Sequence, residues 1–354
     1  MQKGKTMRTF DYSFLKTEFL SPKVLKYISN IEISREQNIL VREKYPKEFT
    51  QLENQAKINS VKHSNAIEGI VTTDDRVASI VGKHSEPQNH TEKEISGYRD
   101  SLDLIHNRYK EVTMDEVSIK ELHALMLGPA LMPHAGEYKD EDNIISEKRE
   151  NGTIGVRFRP ISADETPAAM EQLMLAYQEA NQDADINKLL LIPCFILDFL
   201  CIHPFEDGNG RMSRLLTLVL LYKNGYTVGK YISIEEQINQ DRENYYESLR
   251  KSSEKWHDNK NEYQPFIEFY LKTISTCYYE LNQKFKLEKG KKIKKNERIR
   301  EVVLKSIVPI SKKKICEQLP DVSMTTVEAV LGQMLKDGEI EKVGKGKSTE
   351  YVRK

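Results

Sequence analysis

The sequence predicts a mainly α-helical protein. Charged residues make up 31% of the 354 residues and apolar residues 38%, a balance typical of a soluble, helix-rich chain. Apolar residues recur at helical spacing over most of the chain, whereas paired strands are indicated in only two places. A chain of this length can bury a sizeable core and form two or three domains.

Each expected element follows from local patterns. Gly69 is placed to end the helical region before it, and two short strands within residues 143–158 flank Asn151-Gly152, a pair typical of hairpin turns. Helical spacing is found over residues 35–67, 91–110, 115–127, 164–182, 186–201, 211–223, 235–253 and 262–286.

A lysine-rich stretch divides the chain. Residues 284–295 contain seven lysines and one glutamate, which is typical of a solvated linker or helix end. Beyond it, three helices and a hairpin within about sixty residues resemble a winged helix-turn-helix domain. We therefore expect an N-terminal helical region (1–90), a helical core (91–285) and a C-terminal winged helix-turn-helix domain (286–354).

Composition narrows the classes of protein. Zero formal net charge argues against nucleic-acid binding by the whole chain. The longest apolar run, residues 189–202, is too short to span a bilayer, and we expect a cytoplasmic protein that does not bind membranes. Four cysteines without paired spacing indicate thiols rather than a disulfide or zinc site: Cys194, Cys201, Cys277 and Cys316.

The stretch HPFEDGNGRMSR, residues 203–214, is polar and glycine-rich although it follows the most apolar run of the chain. Gly208 and Gly210 let the backbone approach an anion closely, and the next helix begins with free N–H groups facing the same space. Arg211 and Arg214, three residues apart, share a helix face. These features predict a polyphosphate site.

Two further side chains complete the expected chemistry of this loop. Asp207 is suited to Mg²⁺, a hard cation that binds oxygen ligands beside phosphates. His203 is placed as a general base. Taken alone, a histidine at a helix end or a Gly-x-Gly turn is usually structural, and it is their combination that indicates a reaction.

This loop resembles the Fic family motif HPFx(D/E)GNGRxxR at every specified position. AGEYK at 135–139 is similar to the family's Pro-Gly-x-Tyr-Arg segment, with Ala135 and Lys139 as departures. The resemblance covers most of residues 10–280, and further similar segments are 159–173, 239–249 and 256–271. It implies a Fic-type helical core with a β-hairpin flap.

The resemblance implies AMP transfer from ATP to a Ser, Thr or Tyr hydroxyl of a target protein and of the enzyme itself. His203 would be the catalytic base and Asp207 would hold Mg²⁺, while Arg211 and Arg214 would hold the β- and γ-phosphates. The anion hole would be formed by Gly208, Asn209 and Gly210. Family members that act as kinases carry lysine in place of Gly210, so glycine implies AMP transfer.

SNAIEG at 64–69 resembles the family's inhibitory motif, (S/T)xxxE(G/N), with Ser64, Glu68 and Gly69 at its specified positions. It implies that Glu68 occupies the Arg214 guanidinium that should meet the γ-phosphate. The alternative is that this stretch is only a helix end with a glycine cap. Its place before the core implies inhibition within the same chain.

Several interpretations stay open at this point. The hairpin at 143–160 is expected to be a flap that pairs with an extended target segment. Tyr245 and Tyr246 line either an adenine pocket or a helix–helix core. An excess of nine positive charges over residues 284–354 favours DNA binding by a transcriptional regulator as an alternative function, and docking of a protein on the winged helix stays open beside it. Deadenylylation is another alternative, and a homodimer is one of the open oligomeric states.

Overall fold

The computed structural model describes residues 8–17, 20–148, 152–285, 295–306, 308–319, 322–344, 346 and 349–353. The chain divides into two compact units, residues 1–279 and residues 280–354. Helices dominate both units, in agreement with the predicted mainly α-helical class. The lysine-rich stretch predicted as a linker falls largely within residues 286–294, which lie outside the described residues.

The first unit is built from helices and one hairpin. Its elements are α1 Pro22–Lys44, α2 Pro46–Ile67, α3 Asp74–Lys83, α4 His90–Arg108, α5 Glu116–Leu127, β1 Ile145–Lys148, β2 Ile154–Phe158, α6 Thr166–Gln182, α7 Lys188–Ile202, α8 Asn209–Lys223, α9 Ile234–Gln240, α10 Arg242–Ser253 and α11 Gln264–Phe285, which continues past the unit boundary.

Local chemistry explains where the first helices begin and end. Pro22 and Pro46 each stand at the first position of a helix, where a missing N–H costs nothing, and Pro46 separates α2 from α1. The Thr73 hydroxyl caps α3, a helix that the sequence analysis did not identify. Gly69 follows α2 with φ +82°, which confirms its predicted position at the helix end.

Helices α7 and α8 form the centre of the first unit. Every residue from Leu189 to Ile202 is buried, and so is every residue from Arg211 to Tyr222. The two helices pack on each other, and α4 packs on α8. Helix α2, which precedes Gly69, contacts α3, α4, α8 and α9. The inhibitory stretch predicted at the end of α2 is therefore carried into the core of this unit.

The predicted hairpin is present. β1 and β2 pair antiparallel, with Lys148 opposite Ile154. Gly152 has φ +79°, the left-handed conformation that a tight turn requires. Residues 149–151, including Asn151, lie outside the described residues.

In its described residues, the second unit contains the end of α11, three further helices and a small sheet around an apolar core of its own. Its three helices and final hairpin occur where the sequence predicts them, and a two-residue strand, β3, adds to the sheet in the order β3-β5-β4. The elements are α12 Lys295–Lys305, β3 Ile310–Ser311, α13 Lys312–Gln318, α14 Met324–Lys336, β4 Ile340–Val343 and β5 Glu350–Arg353.

Two remaining expectations concern the cysteines and membranes. Cys194, Cys201 and Cys277 are buried, and Cys316 is partly exposed. Along the described residues, no helix combines the length and apolar character that crossing a membrane requires.

The contact between α4 and α5 provides a stability test. A Cβ atom on Gly97 would lie 2.0 Å from the Met126 carbonyl oxygen, whereas one on Gly82 in α3 would meet nothing within 4 Å. We expect Gly97→Ala to lower the free energy of unfolding by about 3 kcal/mol, because the two backbones must separate. Gly82→Ala, the matched control, should leave it unchanged or raise it by up to about 1 kcal/mol. Urea denaturation measures both, and equal stabilities would contradict the close helix contact.

Candidate active site

The loop between α7 and α8 turns sharply at both ends. His203 ends α7 with φ +53°, a left-handed conformation that costs a non-glycine residue roughly 1–2 kcal/mol. Gly208 precedes α8 with φ +78°, and a Cβ there would lie 2.8 Å from the Met126 side chain. The first N–H groups of α8 have no acceptor within the helix. The loop therefore presents an anion site at the start of a buried helix.

The His203 imidazole is arranged to accept a proton. Its Nδ1 lies 3.2 Å from the Leu200 carbonyl oxygen, which can only accept a hydrogen bond. Nδ1 must then carry the ring hydrogen, and Nε2 keeps its lone pair. Burial lowers the pKa of His203 to about 4, so the ring is neutral at pH 7.

Interior contacts hold the loop in shape. Phe205 is fully buried and stacks on the His123 ring at 3.8 Å between centroids. His123 Nδ1 accepts a hydrogen bond from the Gly136 N–H, so its Nε2–H donates to the Asp207 carbonyl at 3.1 Å. The Asn209 side chain exchanges two hydrogen bonds with the Phe205 backbone. Asn209, predicted in the anion hole, thus uses its side chain to hold the loop, and its backbone N–H at the start of α8 is the group placed to face an anion.

Arg214 is bound by both polar residues of the predicted inhibitory motif. Its Nε donates to the Ser64 hydroxyl at 2.8 Å, and its Nη2 donates to the Ser64 carbonyl at 2.9 Å and to Glu68 Oε1 at 2.8 Å. Burial alone would lower the Arg214 pKa, but the Glu68 carboxylate raises it above its usual value. Arg214 Nη1 is buried and has no hydrogen-bond partner among the described residues.

The Glu68 carboxylate lies directly over the first turn of α8. A Cβ on Gly210 would lie 2.3 Å from Glu68 Oε1 and 3.4 Å from Arg214 Nη1. Only glycine at this position leaves room for the carboxylate. The Glu68 carboxylate therefore occupies the place where the loop and Arg214 would bind a phosphate.

Arg211, predicted to hold the β-phosphate, is bound between two carboxylates. Its Nη1 donates to Glu94 Oε2 at 2.7 Å and its Nη2 donates to Asp207 Oδ2 at 3.0 Å. Glu94 was not identified from the sequence, because nothing distinguishes it from the other acidic residues of α4. It reaches Arg211 only through the packing of α4 on α8.

Asp207 suits a metal ion that arrives with a nucleotide. In the part of the chain that the structure describes, no group of three or more His, Cys, Asp or Glu side chains could hold a metal ion alone. The Asp207 side chain is 53% exposed, and one of its oxygens is bound to Arg211. One exposed carboxylate fits Mg²⁺, which is commonly bound by one or two carboxylates, water and substrate phosphates.

The two tyrosines predicted for an adenine pocket differ in burial. Tyr245 is buried against Tyr246, Phe266 and Phe269, whereas Tyr246 is 38% exposed. Tyr245 and Arg214 line a cavity of about 20 Å³, enough for one water molecule and too small for adenine. In this conformation Tyr245 packs as a core residue, and the adenine role of the pair stays a prediction.

This constellation defines a helical domain in which a polar, glycine-containing loop joins two buried helices. Residues 113–221 match the model of the Fic/DOC family. The chain therefore carries a Fic/DOC family domain, and this domain contains the loop and both arginines. The resemblance expected from the sequence motif is confirmed.

Similar proteins agree with this assignment. A protein adenylyltransferase Fic from Nematostella vectensis is 28% identical over 229 residues, covering 61% of this chain and 46% of that protein. One from Drosophila melanogaster is 26% identical over 223 residues, covering 61% and 40%. The chain thus spans less than half the length of these relatives.

Solved structures show the same fold. A Fic family protein from Desulfovibrio desulfuricans superposes with a TM-score of 0.63 at 19% identity, covering 95% of this chain and 97% of that one. Fic-1 from Caenorhabditis elegans superposes with a TM-score of 0.55 at 19% identity, covering 72% and 69%.

Proposed function

We propose that this chain is a self-inhibited protein adenylyltransferase, which transfers AMP from ATP to a Ser, Thr or Tyr hydroxyl of a target protein and of itself. The observation that carries the proposal is the Glu68 carboxylate, bound by the buried Arg214 over the start of α8. This contact marks an anion site beside a neutral histidine. The names of the similar proteins support AMP transfer as the reaction.

The proposed reaction uses His203 as general base. The target hydroxyl oxygen bonds to the α-phosphorus of ATP, the bond from that phosphorus to the bridging oxygen breaks, and pyrophosphate leaves. The hydroxyl proton passes to His203 Nε2, whose lone pair is available because Nδ1 carries the ring hydrogen. The imidazole needs no deprotonation beforehand, since its pKa is about 4.

The remaining loop residues hold the phosphates. The N–H groups of Gly208, Asn209 and Gly210 would form the anion hole, and Arg211 would contact the β-phosphate. Asp207 would bind Mg²⁺, which supplies positive charge beside the phosphates. Arg214 would receive the γ-phosphate once Glu68 has moved away.

Glu68 is proposed to inhibit by competing for Arg214. While the carboxylate is bound, the guanidinium cannot bind a γ-phosphate in the same place, so ATP lacks the contact that aligns its α-phosphate. Ser64 binds the same guanidinium from two directions and keeps it oriented without adding negative charge. Deadenylylation that uses Glu68 is the alternative activity of this site.

The first functional prediction concerns His203. His203→Ala should lower AMP transfer by about 10²–10⁴-fold, because the hydroxyl loses its proton acceptor, while ATP binding is retained. Incorporation of label from ATP labelled on the α-phosphate measures transfer, and calorimetry measures binding. His134→Ala is the matched control, since the side chain of this residue is exposed and contacts the exposed Glu206 carboxylate at 3.2 Å. Transfer retained in His203→Ala would remove the assigned base.

The second prediction concerns Glu68. Glu68→Gly should raise self-modification about 10- to 100-fold, because the carboxylate's charge-assisted hydrogen bond no longer competes with the γ-phosphate. Ser64→Ala, the matched control, removes a contact to the same guanidinium but leaves the carboxylate, and it should not raise the rate. Label incorporation with Mg²⁺ present compares the variants.

Variants of Arg214 distinguish competition for its guanidinium from inhibition through another contact. Arg214→Ala should not release activity, because it removes the partner of the γ-phosphate together with the inhibitory contact. Glu68→Gly combined with Arg214→Ala should behave like Arg214→Ala alone, since both residues act through one contact. A double variant as active as Glu68→Gly would show that inhibition works through another contact.

DNA binding by the second unit is a second candidate function. The nine excess positive charges of residues 284–354 favour it, and its helices and hairpin resemble a winged helix-turn-helix domain. Glu328 on α14 would face DNA phosphates unfavourably, but its carboxylate pairs with Lys312 at 2.8 Å. We expect duplex binding that weakens between low and physiological salt, as counterion release requires. Fluorescence anisotropy without binding at low salt would reject this function.

A further inference from the structure

Four consecutive backbone carbonyls around His203, those of residues 202–205, are bound by two residues of one loop. Lys139 donates from Nζ to the first carbonyl at 3.2 Å and from its backbone N–H to the third at 2.9 Å. Asn143 donates from Nδ2 to the second at 3.4 Å and to the fourth at 3.1 Å. An amide nitrogen carries two hydrogens, so one side chain can serve both carbonyls.

The Lys139 ammonium has all three hydrogens engaged. Besides the carbonyl of Ile202, it donates to Asn143 Oδ1 at 2.9 Å and to the Ile161 carbonyl at 2.6 Å. The residue is only 4% exposed. It thereby links the segment that follows β2 to the last residue of α7 and fixes the amide of Asn143, whose nitrogen faces the catalytic loop.

We propose that Lys139 and Asn143 are positioning residues that hold His203 in its left-handed conformation and so direct its Nε2 at the substrate hydroxyl. The proposal rests on the proposed function, in which Nε2 takes a proton. A left-handed backbone is strained for a residue other than glycine, and the carbonyl contacts on both sides of His203 offset that strain. Misplacing a reacting group by about 1 Å can reduce a rate about 10²-fold.

The protonation state of Lys139 provides a readout that a purely structural role would not affect. Burial lowers the pKa of Lys139 to about 8, although the negative charge of Asp142 on the same loop favours the protonated form and raises this pKa. The positive charges of Lys139 and of Arg157 on β2 both lower the pKa of His203 at the end of α7. Once deprotonated, the amine has two hydrogens for three acceptors, so one of the contacts to the Ile161 carbonyl, the Ile202 carbonyl or Asn143 Oδ1 is lost.

Deprotonation of Lys139 should loosen the loop around His203 without unfolding the protein. An unfolded lysine has a pKa of about 10.4, so between about pH 8 and that value the unfolded chain binds more protons than the folded one. The contribution of Lys139 to stability therefore rises with pH over this range. Activity that falls above pH 8 while the melting temperature does not fall would separate the local effect from alkaline denaturation.

The experiment uses the full chain with Glu68→Gly, so that transfer is measurable. Lys139→Met removes the ammonium at similar length and should lower kcat about 10²-fold with an unchanged KM for ATP. Lys139→Arg keeps its charge at every pH, and it should restore kcat and abolish the decline above pH 8. Lys188→Met is the matched control: Lys188 binds the Ala180 and Asp183 carbonyls beside the other end of α7, and its loss should leave the pH profile unchanged.

Hydrogen exchange of the amides of residues 202, 203, 205 and 206, at one pH, tests the clamp without relying on activity. Lys139→Met should exchange faster there, and Lys188→Met should not. If Lys139→Met fails to fold, Asn143→Ala is used in the same way, because it removes the contacts to two of the four carbonyls.

The results separate the two proposals. Unchanged exchange together with an unchanged kcat in the folded Lys139 or Asn143 variant would overturn the positioning role. If wild type and Glu68→Gly transfer no AMP at all, the proposed function fails, and hydrogen exchange still decides whether the clamp exists.

Discussion

The burial of α7 and α8 is the constraint on which the site depends. Both helices are buried almost along their whole length, and the six residues that join them are partly buried: Pro204, Phe205 and Gly208 are enclosed, whereas Glu206 and Asp207 are exposed. Buried backbone groups need hydrogen-bond partners, so the join recruits polar side chains from distant parts of the chain. His123, Lys139 and Asn143 supply them, and Asn209 adds a contact from the adjoining start of α8.

The two arginines of the loop depend on different kinds of partner. Breaking a buried ion pair by removing one member costs about 3–5 kcal/mol, because the remaining charge is uncompensated. The Glu94 side chain is 11% exposed in its pair with Arg211, whereas Glu68 is 33% exposed in its pair with Arg214. The Glu68 carboxylate can therefore be rehydrated more easily than Glu94 when it separates from its arginine. A phosphate can thus replace the carboxylate more easily at Arg214 than at Arg211.

The sequence predicts those parts of the molecule that short-range patterns determine. Helical spacing identified most of the helices, and the hairpin followed from Gly152. The Fic family motif identified the loop, and the SNAIEG stretch led to the contact between Glu68 and Arg214, which the structure contains.

The parts that the sequence did not predict depend on packing between distant segments. Glu94 lies 117 positions from Arg211, and Lys139 lies 63 positions from Ile202. No local pattern encodes such separations. Lys139 was noticed only as a departure from the family segment, and its role emerges from three acceptors that converge on one buried ammonium.

Under the proposed function, the site can open either by movement of α2 or by rotation of the Glu68 side chain alone. This helix buries side chains such as Phe49, Leu52 and Val61, so moving it away would expose apolar surface and belong to the microsecond-to-millisecond class of motions. Glu68 stands one residue beyond the helix, partly exposed, and its side chain can rotate away while Ser64 still holds the guanidinium. Rotation of a partly exposed side chain takes picoseconds to nanoseconds. Substrate would then meet a site that opens and closes far faster than one catalytic turnover.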